Sequence, residues 1–150
     1  MTEKERINLI IKDSCQRLPY GLKFFVDNTI PPRPSAADYM NGDVLDVVTA
    51  DGIYIGDCDF PCIDVREKGS DAVLKVLTPY LRSMSTMTDE EEEEYRNLNY
   101  HEPGCMVFPK TQEGYEFLIR KHFDFMRYGD REQTMIELGA AIEAPEGLYK

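Results

Sequence analysis

In the first segment, ERINLIIKDSCQRL, the apolar positions are Ile7, Ile10, Ile11, Cys15 and Leu18. Intervals of three and four residues bring them to one side of a helix. The pattern therefore predicts an N-terminal amphipathic helix, with Lys12 and Arg17 turned to water and Pro19 and Gly21 as its stop. The next stretch, GLKFFVDNTI, is rich in aromatic and branched side chains and predicts a first strand. PPRPSAADYMNGD holds too much proline, glycine and small polar residue to extend a sheet, so residues 30–43 read as a surface excursion, with Ser35 available to cap a short turn. In VLDVVTADGIYIGD two β-prone runs flank Asp51-Gly52, a pair suited to the positive φ angles of a type I′ turn, which predicts a hairpin. FPCIDVREKGSDAVLKVL repeats the pattern as strand, polar turn (EKGSD) and strand, with Ile63, Val65, Val73 and Val76 inward; a helix from Ser70 to Leu77 is the competing reading. The expected fold class is α+β: a small, bent antiparallel sheet or open barrel of about four or five strands, with the N-terminal helix closing one face and further helices following.

The segment LTPYLRSMSTMTDEEEEEYR marks the change from strands to helices. Pro79 lacks a ladder donor, so TPYLR reads as an edge of the sheet or an exit from it. Thr88 and Glu91 form a T-x-x-E capping box, and the acidic residues that follow suit the positive end of the helix dipole. Glu90 to Glu94 read as solvated helix surface, with Glu92 and Arg96 spaced for one exposed pair. After the loop NYHEPGCMVFPK, the run TQEGYEFLIRKHFDFMRYGD predicts a second helix from Thr111 to Gly129 and Asp130. Its core face would carry Tyr115, Leu118, Ile119, His122 and Met126, broadened by Phe117 and Phe123. MIELGAAIEAPEGLYK reads equally as a short helix or a final edge strand, and Pro145-Glu146-Gly147 predicts a turn.

The 150 residues suit a single globular domain, one able to bury about 70% of its unfolded surface without metal or disulfide support. Seventeen Lys and Arg against 28 Asp and Glu leave a charge of -11, which opposes binding to a phosphate backbone and favours a basic protein partner. Arg17, Lys23, Arg33 and Arg82 are scattered along the chain and form no basic run. No apolar stretch reaches spanning length and no basic, then apolar, leader opens the chain, so no membrane partner is expected and the expected compartment is the cytoplasm. Four cysteines fit reduced thiols of that compartment better than a disulfide framework.

Three constellations carry candidate chemistry. Cys58, Cys62, His101 and Cys105 have the residue types of a Cys₃His zinc site, but both gaps exceed a C-x-x-C knuckle and Pro61 interrupts the first. Asp57, Asp59 and Asp64 offer hard oxygen ligands without the ordered ligand series of a calcium loop. Cys105 with His101 or His122 and Asp124 has the types of a thiol nucleophile, base and orienting acid. For each, the plainer structural role is preferred. The cysteines read as core, turn or edge residues and the aspartates as surface turn acids. His122 is expected to pack on a helix face while tying down neighbouring backbone, with Asp124 or Asp130 organising a helix end. Neither a phosphate loop nor a G-x-G-x-x-G run is present, and the aromatics Tyr20, Phe24, Phe25 and Phe60 lack the positive groove of a base-stacking platform. No catalytic residue, metal site or cofactor is assigned from the sequence.

RLPYG at Arg17–Gly21, PYLRSMSTMTDEE at Pro79–Glu91, HFDF at His122–Phe125 and EAPEGLY at Glu143–Tyr149 together resemble a family of short uncharacterised proteins of gut Bacteroidetes and their phages or other mobile elements. Members of that family typically carry an Arg-Gly-Leu type continuation where this chain has Met126-Arg127-Tyr128, and the proline-rich stretch at 30–43 is particular to this chain. The resemblance implies kinship and a genetic setting and transfers no activity. Three functional classes follow: a non-enzymatic accessory or interaction module, an acidic mimic of DNA directed at a basic DNA-binding protein, and a small thiol enzyme using Cys105.

Overall fold

The structure, a computed structural model, describes residues 2–26, 47–55, 63–69, 73–101 and 108–149; at 26, 54–55 and 73–77 it describes the backbone alone. The fold is α+β, with an N-terminal helix, two later helices and a mostly antiparallel set of strands. The chain divides into two compact units, Met1–Tyr80 and Leu81–Lys150.

In the first unit, helix α1 (Glu3–Arg17) begins at a reciprocal box between Thr2 and Glu5 and ends in the 3₁₀ turn Leu18–Tyr20, where Gly21 takes φ +76°. That left-handed conformation is costly for a side chain bearing Cβ, so Gly21 makes the stop sharp. Ile7 and Ile10 are buried as expected, but Cys15 is exposed and Arg17, expected in water, is fully buried. The reason lies one turn back. Asp13, also fully buried, accepts from Arg17 Nε at 2.9 Å and from NH2 at 3.4 Å. Spacing of i,i+4 aligns the two side chains and lets both charges leave water together.

Strands β1 (Lys23–Val26), β2 (Val47–Ile55), β3 (Ile63–Glu67) and β4 (Val73–Ser83) pair antiparallel in the order β1-β2-β3-β4, and β1 pairs with β4 as well. Alternation buries Leu22 and Phe24, Val48 and Ala50, and Ile63 and Val65. The chain turns at Lys68 and Gly69 after β3, with Gly69 at φ +79°; Ser70 to Ala72 lie outside the described residues, and β4 from Val73 takes the place of the helix considered through Leu77. Asp51-Gly52 is not a hairpin. β2 runs straight through it, and neither residue has positive φ. Instead the register slips between Ala50 and Gly52, so Asp51 is the extra residue of a bulge. Bulges bend a strand, and this one lies where β2 passes from its pairing with β1 to its pairing with β3. Asp51 is held by Arg66 Nε at 2.7 Å. Pro79 is the last β4 residue paired with β1, as an exit from that pairing requires, although the strand itself continues to Ser83.

In the second unit, α2 (Asp89–Leu98) starts at the expected Thr88–Glu91 box, and α3 (Gln112–Arg120) starts at Thr111. Tyr95 and Phe117 stack at 5.8 Å within a core completed by Leu118, Ile119, Phe123 and Phe125. Asn99 ties the helices together: its Oδ1 accepts from Lys110 N at 2.7 Å and its Nδ2 donates to Tyr95 O at 2.7 Å. The second helix is shorter than its apolar spacing suggests. His122 adopts φ +61° and breaks it, and Phe123–Asp124 become strand β5, parallel to Arg82–Ser83. All four residues of HFDF are buried: Phe123 and Phe125 belong to the core, and His122 and Asp124 are also withdrawn from water. The tail resolves as the short edge strand β6 (Ile142–Glu143), which pairs with β4, followed by the expected turn, with Gly147 at φ +84°. Among the described residues no helix is long and apolar enough to cross a membrane.

Candidate functional site

The most developed polar arrangement lies in the second unit, where β4 ends. Arg82 leaves β4 beside Phe123, and its guanidinium sits 4.2 Å over that ring. Both Glu91 oxygens accept from it at 2.7 Å, in a bidentate pair. The side chains are only 15% and 12% exposed, so the pair is largely withdrawn from water. The α2 cap holds Glu91 from the other direction: its Oε1 accepts from Thr88 N at 3.1 Å while its own N–H donates to Thr88 Oγ1 at 3.1 Å. Hydrogen bonds from Arg82, with those of Thr88 adding to them, pull the Glu91 carboxyl from 4.5 down to about 2 against the opposing effect of burial. Lys121 Nζ stands 4.0 Å away and adds a second positive charge. Glu91 is thus a fixed anion, unlike the open surface expected of Glu90 to Glu94. Asp89, Glu90, Glu93 and Glu94 do face solvent, and Glu92 pairs with Arg96 at 3.1 Å.

Opposite this pair runs the C-terminal turn. Ala144 N donates to Leu81 O at 2.7 Å, and Leu148 N donates to Pro145 O at 3.1 Å. The Tyr149 ring stacks on His122 at 4.3 Å and 28°. Between the Arg82–Glu91 pair and this turn lies a groove of about 640 Å³, bordered also by Thr88, Glu143 and Glu146. A smaller hollow of about 310 Å³ shares Glu143 and is bordered by Ser83, Asp124, Arg127, Thr134 and Glu137. Asp124 has a structural task there. Its two oxygens accept from Met135 N at 3.1 Å and Ile136 N at 2.9 Å, at the start of a turn that Thr134 and Glu137 cap reciprocally. Asp124 therefore does not organise the end of its own helix, as the sequence suggests: it lies in β5, beyond Arg120, and holds a later turn instead.

Cys58, Cys62 and Cys105 lie outside the described residues, and His101 is an exposed residue at φ +58°. Asp57 and Asp59 likewise lie outside them, while Asp64 stands in β3 opposite Lys75. Within the proposed thiol set, Asp124 is engaged with backbone amides and His122 with Tyr149. His122 is buried as expected but stands beyond the helix, and its carbonyl accepts from Arg82 N at 2.8 Å. Among the described residues no group of three or more His, Cys, Asp or Glu is placed to hold a metal ion. In the sequence Arg82 is one of several scattered cations, and its pairing with Glu91 is not legible there. No spacing rule links residues nine apart across a strand and a helix cap. The T-x-x-E at Thr134–Glu137 was readable and points to the turn that Asp124 serves. No protein-family model, curated protein or solved structure matches the chain.

Proposed function

We propose that this chain is a non-enzymatic accessory protein that works by binding a basic protein partner. In this reading it acts in the cytoplasm, in the setting of a phage or mobile element, as its resemblance to the Bacteroidetes proteins implies. One observation carries the reading. Two withdrawn carboxylates of the second unit are occupied internally, Glu91 with Arg82 and Asp124 with backbone amides, whereas Asp89, Glu90, Glu93 and Glu94 present an exposed acidic face on α2, where Arg120 stands 3.8 Å from Glu94. Groups held in this way rigidify a scaffold, and a surface of one sign steers an oppositely charged partner and discriminates against like-charged ones. The overall charge of -11 works in the same direction.

Affinity capture from the native host at low and high salt tests this, with a Glu90→Gln/Glu93→Gln/Glu94→Gln chain run in parallel. The expected result is a basic protein retained at low salt and reduced by either high salt or the substitutions. Turnover of a metabolite with no reproducible partner overturns the assignment. Competition by duplex DNA for the same partner would move the account toward mimicry of a nucleic acid.

A further inference from the structure

Resting on that reading, we infer that the groove bordered by Arg82, Glu91, Glu143, Glu146 and Tyr149 is the docking site for an arginine- or lysine-bearing segment of the partner. Its volume, about 640 Å³, falls within the ordinary range of about 300–1,000 Å³ for binding clefts, large enough for a long side chain together with its backbone. The charge of its border decides the occupant. Arg82 and Glu91 cancel each other through their bidentate pair and are fixed by the Phe123 ring and the Thr88 cap, so neither moves to meet a ligand. Lys121, 4.0 Å from Glu91, does not border the groove, and the remaining formal charges on its border are the carboxylates of Glu143 and Glu146, both exposed and, among the described residues, without a hydrogen bond or ion pair of their own.

An anionic ligand would meet two free carboxylates and a guanidinium already saturated by Glu91. A cation meets complementary charge and, in Tyr149, an aromatic wall of the kind that attracts guanidinium and ammonium groups. The turn that carries these groups is held by Ala144 N to Leu81 O, Leu148 N to Pro145 O and the stacking of Tyr149 on His122. The carboxylates therefore ride on an anchored segment, which lowers the ordering cost of binding.

The test is a chemical-shift titration of the full chain with a short peptide carrying two arginines, with anisotropy of the labelled peptide in parallel. Shifts should concentrate at Glu143 to Tyr149 and Arg82. Glu143→Gln/Glu146→Gln should weaken binding about tenfold, as expected for losing a close charge pair. Glu93→Gln/Glu94→Gln, an equal change of charge on α2, should weaken it less than about threefold, as for a distant screened charge. Both pairs of glutamates are exposed, and matched melting temperatures establish that each variant is folded. Shifts confined to α2, or equal weakening by the two variants, overturn the groove while leaving the basic-partner reading in place. No shift at any residue at low salt overturns the groove too, and the capture experiment then decides the wider reading on its own.

Discussion

Replacing Glu91 with Gln removes one charge from the Arg82–Glu91 pair and one of its two hydrogen bonds, because the amide nitrogen that takes the place of Oε2 cannot accept from Arg82 NH1. Gln also satisfies the third position of a capping box, so the bond back to Thr88 N is retained. Taken at face value, a carboxyl lowered from 4.5 to about 2 corresponds to about 3 kcal/mol, at about 1.4 kcal/mol per pH unit. The pair borders an open groove, and screening by water there reduces the expected loss to about 1–2 kcal/mol. The sign follows from the direction of the shift. A depressed carboxyl stabilises the fold fully above its ordinary value of 4.5, and that stabilisation is lost as the pH falls through about 2. Urea unfolding of the wild-type and Glu91→Gln chains between neutral pH and pH 2 should show a gap that is constant above 4.5 and closes toward 2. Glu92→Gln, which disturbs the exposed pair with Arg96, should cost less than about 0.5 kcal/mol throughout. A Glu91→Gln gap that does not change with pH would refute the ion-pair account and reduce Glu91 to a neutral cap.

Further outcomes follow from the same geometry. Asp13→Asn leaves the fully buried Arg17 without its counter-charge and should cost about 3–5 kcal/mol in urea unfolding, whereas Asp13→Leu with Arg17→Met should recover most of it. Gly114→Ala places a methyl against the Asn99 amide, 2.7 Å from Nδ2 and 2.8 Å from Cγ, and should cost about 1–3 kcal/mol. The same substitution in an Asn99→Ala background should cost much less, which a double-mutant cycle measures. Asp124→Asn weakens the acceptors for Met135 and Ile136 amides and should cost about 1–3 kcal/mol, with faster amide exchange at those two residues.

Local signals carried the elements whose stability is local. The Thr88–Glu91 box, the turn at Gly69 and the stop at Gly21 were readable because each depends on a few adjacent residues. Misreadings arose where a local pattern had two structural outcomes. Asp51-Gly52 suits a tight turn and equally a bulge, and only pairing with both β1 and β3 selects the bulge. In KHFDF the three- and four-residue apolar spacing continues past Arg120, but pairing of Phe123–Asp124 with Arg82–Ser83 overrides it and holds His122 at positive φ. Arg17 looked like a surface residue because charge is a reliable guide to exposure only until a partner one turn away is buried with it. The groove was the least legible feature. Arg82, Glu91 and Glu143 to Tyr149 come from segments whose convergence is fixed by tertiary pairing, beyond the reach of periodicity.

The central claim is recognition of a basic partner through the acidic surface of the second unit. Its most direct test is the salt dependence of the dissociation constant between this chain and the protein it captures, measured for the wild type and for Glu90→Gln/Glu93→Gln/Glu94→Gln. The account predicts wild-type affinity that falls steeply with ionic strength and a variant that is weaker at low salt with a shallower dependence, the two converging at high salt. Affinity independent of salt, or identical curves for the two chains, would contradict it.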